Sequence, residues 1–311
     1  MLPPPYRSVW PPDSSPVPVP VPLTFDEPAL VVDVRAPLRW PGDALGLWRR
    51  TAAAVSGCIA LVGDHADNPP AHDDTGRLPP EEVIAVLLDA GVRAIVTVTG
   101  RSHSPADVRR LVRSCRDAGA LAVHVVTGDH PRALGIDRAV RFGTESLRML
   151  PEAPRAAVAA TVAESPAAPG DRVGRLLAKQ RAGASACILN HSGDAGALIA
   201  FVDRCREAGV TMPMIAPVPM VADRHAALRL AAFPGLRLPT GFLAGIADAA
   251  DPAAHGPALA AELAATLVRS GRFAGVNLSG GAAGITPDER LAATAAVITA
   301  TRAALTERAS G

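Results

Sequence analysis

From Ala29 onward the chain alternates two patterns. Short runs that are apolar throughout, such as LVVDV at 30–34, GCIALVG at 57–63 and RAIVTVT at 93–99, are separated by longer stretches with helical spacing. A strand covered on one face alternates apolar and polar residues. A run that is apolar throughout fits a parallel strand covered on both faces. Further runs of this kind are LAVHVV at 121–126, AAVAATV at 156–162, SACILN at 185–190, PMIAPV at 213–218 and FAGVNLS at 273–279. Helical spacing is expected at 43–55, from Pro79-Pro80 to Ala90, from near Ser104-Pro105, and at 137–149 and 171–182. It returns at 195–208, 222–232, 257–270 and 287–307. Glu81 and Glu82 follow Pro80, and Gly183 and Gly209 close two later helices, which are the ends where those residues belong. Eight strands alternating with helices predict a (β/α)8 TIM barrel, as one domain over 29–311. A doubly wound open sheet is the alternative. No GxGxxG follows the first strand, which counts against it.

Residues 1–28 break the pattern. They are rich in proline, including VPVPVP at 17–22, and are expected to be an extended tail draped on the domain, or disordered. The polar stretch 64–78 is too long for an ordinary strand-to-helix connection.

Composition narrows the function classes. Net charge is +1, from 31 basic and 30 acidic residues without long runs of either sign, so neither nucleic acid nor an anionic membrane is the expected partner. The hydrophobic share is 49% but the aromatic share only 3%, so Ala, Val and Leu must fill the core. Cys58, Cys115, Cys187 and Cys205 form no CxxC pair and lie in apolar patterns, as reduced core thiols would. With no apolar run of membrane length and no signal-peptide order at the start, a cytoplasmic protein is expected. The Ala-rich outer helices would suit packing against a second copy in a homo-oligomer.

In a barrel the C-terminal ends of the strands meet at one mouth, where chemistry sits. Those ends carry Asp33 and Arg35, Asp67-Asn68, Thr97 and Thr99, Asp129, Thr161, Asn190, Pro217 and Pro219, and Asn277 and Ser279. The stretch LAVHVVTGDHP, 121–131, ends in a tight turn that presents Asp129, either as a chemical group or as a cap for the turn or the next helix. Asp33 lies inside an apolar run, where a carboxylate is costly unless paired or used. It reads equally as an ion-pair partner of an arginine or as a proton donor with a pKa raised by burial. The mouth lacks an obvious catalytic histidine or cysteine nucleophile. His65, His72, His103, His130 and His191 read as solvated loop residues, and no zinc spacing predicts a metal. So few acids imply that redox chemistry would need a cofactor.

The order of elements and several motifs resemble the methylenetetrahydrofolate reductase family, flavin-bound (β/α)8 barrels, over about 30 to 290. The segments LAKQRAGASACILNHSGDAGALIAFVDRCREAGV and MIAPVPMVADRHAALRLAAFPGLRLP resemble that family's Lys-x-x-Ala-Gly-Ala…Thr-Gln…Asp…Phe-x-x-x-Cys and Ile-x-Pro-Gly-Ile-x-Pro patterns. ADNPPAHDDTGRLPPEEV, 66–83, is similar to the Asp-Asn-Pro loop of a subgroup tied to corrinoid methyl transfer.

The resemblance implies roles residue by residue. Asp33 stands where the family has the glutamate that protonates the folate and opens its imidazolidine ring, one methylene shorter. Thr127-Gly128-Asp129 stands for the family's Arg-Gly-Asp, so Gly128 and Asp129 would lie near the flavin and Asp129 near the pterin too. Thr99 matches the threonine of a His-Leu-Thr motif whose flavin-contacting histidine is Thr97 here. Lys179 matches a lysine that holds the flavin phosphates, and Thr161 and Ser165 stand for the Tyr-Pro-x-x-His that lines the flavin site. Asn190 replaces the glutamine that reads the pterin, and Arg224 the phenylalanine that covers the substrate. The implied activity passes a hydride from NAD(P)H, through FAD, to 5,10-methylenetetrahydrofolate, giving 5-methyltetrahydrofolate. Two further readings accompany it: a flavin-free oxidoreductase using a nicotinamide or deazaflavin directly, and a non-catalytic folate-binding or partner subunit.

Overall fold

The computed structural model describes residues 21–25, 28–34, 43–63, 78–99, 105–126, 158–168, 170–233, 235–280 and 286–306. Eight strands close into one parallel barrel in sequential order. They are β1 (Ala29–Val34), β2 (Ile59–Val62), β3 (Arg93–Thr99), β4 (Ala122–Val126), β5 (Ala159–Glu164), β6 (Ala186–Leu189), β7 (Met214–Pro219) and β8 (Gly275–Ser279). The described helices are α1 (Ala44–Ala54), α2 (Pro80–Asp89), α3 (Pro105–Asp117), α4 (Arg172–Arg181) and α5 (Ala195–Glu207). After β7 come α6 (Arg224–Ala231), α7 (Phe242–Asp248) and α8 (Pro252–Arg269), and α9 (Pro287–Thr306) closes the chain. The helix expected at 137–149 lies outside the described residues.

The continuous apolar runs are explained by two cores. Outward residues such as Val32, Val123, Val162, Leu189 and Leu278 pack under the helices. Inward residues, among them Val31, Ile59, Ile95, Ala122, Ala159, Ile188 and Ile215, fill the lower bore. Leu23 is buried in that inner cluster, with Val21 and Phe25 packed against it, so part of the proline-rich segment seats under the barrel.

Many acids of the loops serve as helix caps. Asp43, Asp171, Asp194, Asp223 and Asp251 each accept a backbone N–H three residues on. Such a cap contributes about 1 kcal/mol and removes these carboxylates from the list of chemical candidates. Gly183 and Gly209 follow α4 and α5 with φ of 101° and 91°, the left-handed turn that glycine permits.

Beyond shifts of a few residues at other element ends, two boundaries and one added helix differ from the sequence reading. The fifth strand runs to Glu164 rather than ending at 162, because its final carboxylate is buried against cations of α4. The helix expected from 257 begins at Pro252, capped by Asp251, with Pro257 inside it. The stretch before it contains α7, a short helix entered through Gly241 without a side-chain cap. The four cysteines are buried and unbonded. Burial raises the thiol of Cys115 to about 12 and pushes that of Cys187 higher still.

Candidate functional site

Strand alternation decides which side chains enter the bore. Val123 and Val125 pack outward and Ala122 inward, so His124 faces the bore from β4. By the same alternation Asp33, Thr97, Thr99, Thr161, Asn190, Pro217 and Asn277 face it from their own strands or from just beyond them. Below them the bore is apolar, and their layers are polar. Two groups of side chains stand out.

The first lies on β3 to β5. Thr97 pairs in register with His124, and His124 with Thr161. The Nδ1 of His124 lies 2.9 Å from the hydroxyl of Thr161. Thr161 in turn donates to the Val123 carbonyl at 3.5 Å. With the Thr161 proton directed to that carbonyl, the hydroxyl accepts from Nδ1–H, and in that tautomer Nε2 of His124 is a hydrogen-bond acceptor. Burial lowers the pKa of this imidazole from 6.5 to about 4, and the Lys179 ammonium adds to the effect. His124 is therefore neutral at physiological pH. The sequence reading missed it because a histidine within an apolar run looks like strand filling, and its partner is 37 residues away.

The second group lies on β5 to β8. The Asn190 N–H donates to the Glu164 carbonyl at 3.0 Å, which continues the β5–β6 pairing and sets Ser165 beside Asn190. The β6–β7 register, continued two residues past Ile188, sets Asn190 beside Pro217, and Pro217 pairs with Asn277. Ser165 Oγ, Asn190 Oδ1 and Asn277 Oδ1 are all buried without a hydrogen-bond partner among the described residues. Each such group costs about 1–3 kcal/mol. Asn277 is only 4% exposed. It pairs with Val31 of β1, so Asp33, two residues on, stands one inward layer above it.

The seam between β6 and β7 is short, with the pairs Cys187–Met214 and Ile188–Ile215, whereas β7–β8 pairing runs from Ile215 to Pro219. Pro217 and Pro219 have no N–H to extend the ladder. The gap is filled from the α6–α7 connection. Gly193 N–H donates to the Arg237 carbonyl at 2.8 Å, and Arg237 N–H to the His191 carbonyl at 2.9 Å. His191 is held at φ 56° with its ring 5.3 Å from that of Phe233, so it is a built part of this wall rather than a solvated loop residue.

Behind the bore, Glu164 faces outward with its side chain 1% exposed. It accepts from Lys179 Nζ at 2.8 Å and from Arg172 at 3.3 Å, and Arg175 lies within 3.7 Å. Lys179 also donates to the Ala163 carbonyl at 2.6 Å. The spacing of Arg172, Arg175 and Lys179 along one face of α4 was a readable sign that a buried acid lay opposite.

The sequence candidates are thus divided. Asp33, Thr97, Thr99, Thr161, Ser165 and Asn190 gather around the bore. Lys179 sits outside it, and Arg224 is exposed at the first turn of α6. Gly128 and Asp129 lie outside the described residues. The residues tied by resemblance to FAD do not make up a flavin site among the described residues. The ammonium meant for its phosphates is held by Glu164, and Thr97, Thr161 and Ser165 offer no ring against which an isoalloxazine could pack.

A family model described as methylenetetrahydrofolate reductase matches residues 71–278. No curated protein matches the chain in sequence. Among solved structures, an uncharacterized protein from Clostridium thermocellum that binds two copies of 5-methyl-5,6,7,8-tetrahydrofolic acid is similar, with a TM-score of 0.66 and 13% identity. The similarity covers 89% of this chain and 95% of that one. A tryptophan synthase from M. tuberculosis matches with a TM-score of 0.45 and 14% identity over 89% of this chain and 93% of that one.

Proposed function

Because the chain is a member of the methylenetetrahydrofolate reductase family, we propose that its barrel mouth binds a tetrahydrofolate and reduces the 5,10-methylene bridge to a 5-methyl group, with electrons from NAD(P)H. The observation that carries this reading is the set of unpartnered side-chain oxygens on Ser165, Asn190 and Asn277, with a carboxylate one inward layer above Asn277. A pterin brings several ring N–H groups, an amino group and a carbonyl on one planar edge. Such a ligand satisfies buried amides that the protein leaves open. The folate-binding fold neighbour supports the same substrate class.

In this reading Asp33 is the general acid. The bridge carbon is bonded to two nitrogens. Asp33 gives its proton to the nitrogen that leaves, one C–N bond breaks, and the bridge becomes an iminium carbon. That carbon accepts the hydride and becomes the methyl group, while the nicotinamide is oxidised. Asp33 regains its proton from water. Positioned acids of this kind contribute on the order of 10²–10⁴-fold.

The misfit of the flavin positions favours direct transfer from the nicotinamide over transfer through FAD. The test uses purified protein as isolated, with 5,10-methylenetetrahydrofolate and NADH or NADPH and no added flavin. Formation of 5-methyltetrahydrofolate is expected, without absorbance near 450 nm from a bound flavin. A yellow protein whose turnover disappears when the flavin is stripped would overturn direct transfer. Absence of both turnover and folate binding would overturn the function itself.

A further inference from the structure

The folate reading leaves one buried polar side chain of the bore without a task. His124 lies 7% exposed on β4, in register between Thr97 and Thr161. Its one hydrogen-bond partner among the described residues is Thr161, which leaves the second ring nitrogen for something else.

We propose that His124 is the residue that orients the hydride donor: its Nε2 accepts a hydrogen bond from the carboxamide N–H of a reduced nicotinamide lying against β3 to β5. The inference rests on the folate reading and deepens it, by dividing the mouth between two ligands.

Three observations support the division. The β5 to β8 side carries several unpartnered polar atoms and suits a ring with many polar groups. On the β3 to β5 side Thr161 is engaged by His124 and by the Val123 carbonyl, and His124 leaves one ring nitrogen open. A dihydronicotinamide has one polar substituent, the carboxamide, and an otherwise apolar ring face. The second observation is position. β4 and β5 stand across the barrel from β1 and β8, so a ring held by His124 approaches a folate bound near Asp33 and Asn277 from the opposite side.

The third is electrostatic. A dihydronicotinamide is neutral and becomes a pyridinium cation when its C4 hydrogen leaves with both electrons. A cation beside it would oppose that change. His124 is held neutral by burial. The Lys179 ammonium lies on the outer side of β5, held by Glu164 at 2.8 Å.

The experiment measures two dissociation constants on the full chain: NADPH and NADH by the fluorescence of the reduced nicotinamide, and 5-methyltetrahydrofolate by calorimetry. They are compared in wild type, His124→Ala and His124→Gln. Loss of one hydrogen bond is expected to weaken nicotinamide binding about 3- to 12-fold in His124→Ala. Folate binding should stay within about twofold, which also reports that the barrel is folded. Glutamine keeps an acceptor near the Nε2 position and should recover part of the loss. Unchanged nicotinamide binding in His124→Ala overturns the proposal. So does parallel loss of both ligands, which would make His124 a packing or folate residue. A wild type that binds folate and neither nucleotide overturns it while leaving the folate reading intact. A wild type that binds a reduced nicotinamide but no folate would fail the folate reading, and with it the proposed division of the mouth.

Discussion

The two sides of the barrel mouth are made of the same parallel strands and differ in how far they satisfy themselves. On β3 to β5, His124 and Thr161 bond one another at 2.9 Å, and an ion cluster around Glu164 locks β5 from behind. On β5 to β8, Ser165 Oγ, Asn190 Oδ1 and Asn277 Oδ1 are buried with no hydrogen-bond partner among the described residues, and the β6–β7 ladder stops short at two prolines. A side that completes its own hydrogen bonds gains stability and offers a ligand little. A side that leaves them open is less stable alone and gains when a ligand fills it. The contrast separates structural from functional polarity without reference to which residues are charged.

Substitutions test the contrast from both sides. The largest effect is expected on the open side, at Asp33. Asp33→Ala should lower methylfolate formation by on the order of 10²–10⁴-fold with folate binding largely retained, as expected for a proton donor. Turnover equal to wild type would remove Asp33 from the chemistry. Asp33→Glu sharpens the point, since it restores the side-chain length of the family's glutamate.

On the closed side, Glu164→Gln should cost stability rather than chemistry. It leaves the ammonium of Lys179 and the guanidinium of Arg172 buried without a counter-charge, at about 3–5 kcal/mol. Thermal or urea unfolding measures it. A loss below about 1 kcal/mol would show that water screens the cluster.

The closed side also carries a pH signature. His124 has a folded pKa of about 4 against an ordinary 6.5. Above pH 6.5 both folded and unfolded states hold it neutral and it contributes nothing. As pH falls from 6.5 to 4 the unfolded chain takes up a proton that the folded protein refuses, so stability falls with pH. The loss approaches about 3 kcal/mol below pH 4. Urea midpoints of wild type should therefore drop more steeply over that interval than those of His124→Leu, and parallel curves would contradict it.

The smallest effect has an unusual sign. Asn277→Leu removes an unpartnered buried amide oxygen, so the unliganded protein should become more stable, by about 1 kcal/mol. The same change should weaken folate binding about tenfold. A destabilised protein with normal folate affinity would mean that the amide has a structural partner after all.

The barrel was legible because its evidence is local. Every strand is a short apolar run, and the periodicity separates strand from helix without knowledge of what packs on what. The candidates near strand ends were legible for the same reason, since a barrel turns a position in sequence into a position at the mouth. What escaped depends on partners far along the chain. Glu164 lies two residues past the apolar run that ends at 162, and the cations of α4 that bury it there come later in the chain. His124 was lost inside its run. The open state of Asn277 is not a property of asparagine but of what its neighbours decline to offer, and no spacing encodes that. The start of α8 lies five residues before the expected 257 because the helix opens at Pro252 behind the Asp251 cap and carries Pro257 inside it.

Leu23, seated beneath the inner cluster with Val21 and Phe25, has a kinetic consequence. With the lower bore filled and closed by that packing, ligands reach the mouth from one side. Two ligands held against opposite walls then share one approach, so each should leave more slowly when the other is bound, read as a slower off-rate of the reduced nicotinamide in the presence of folate.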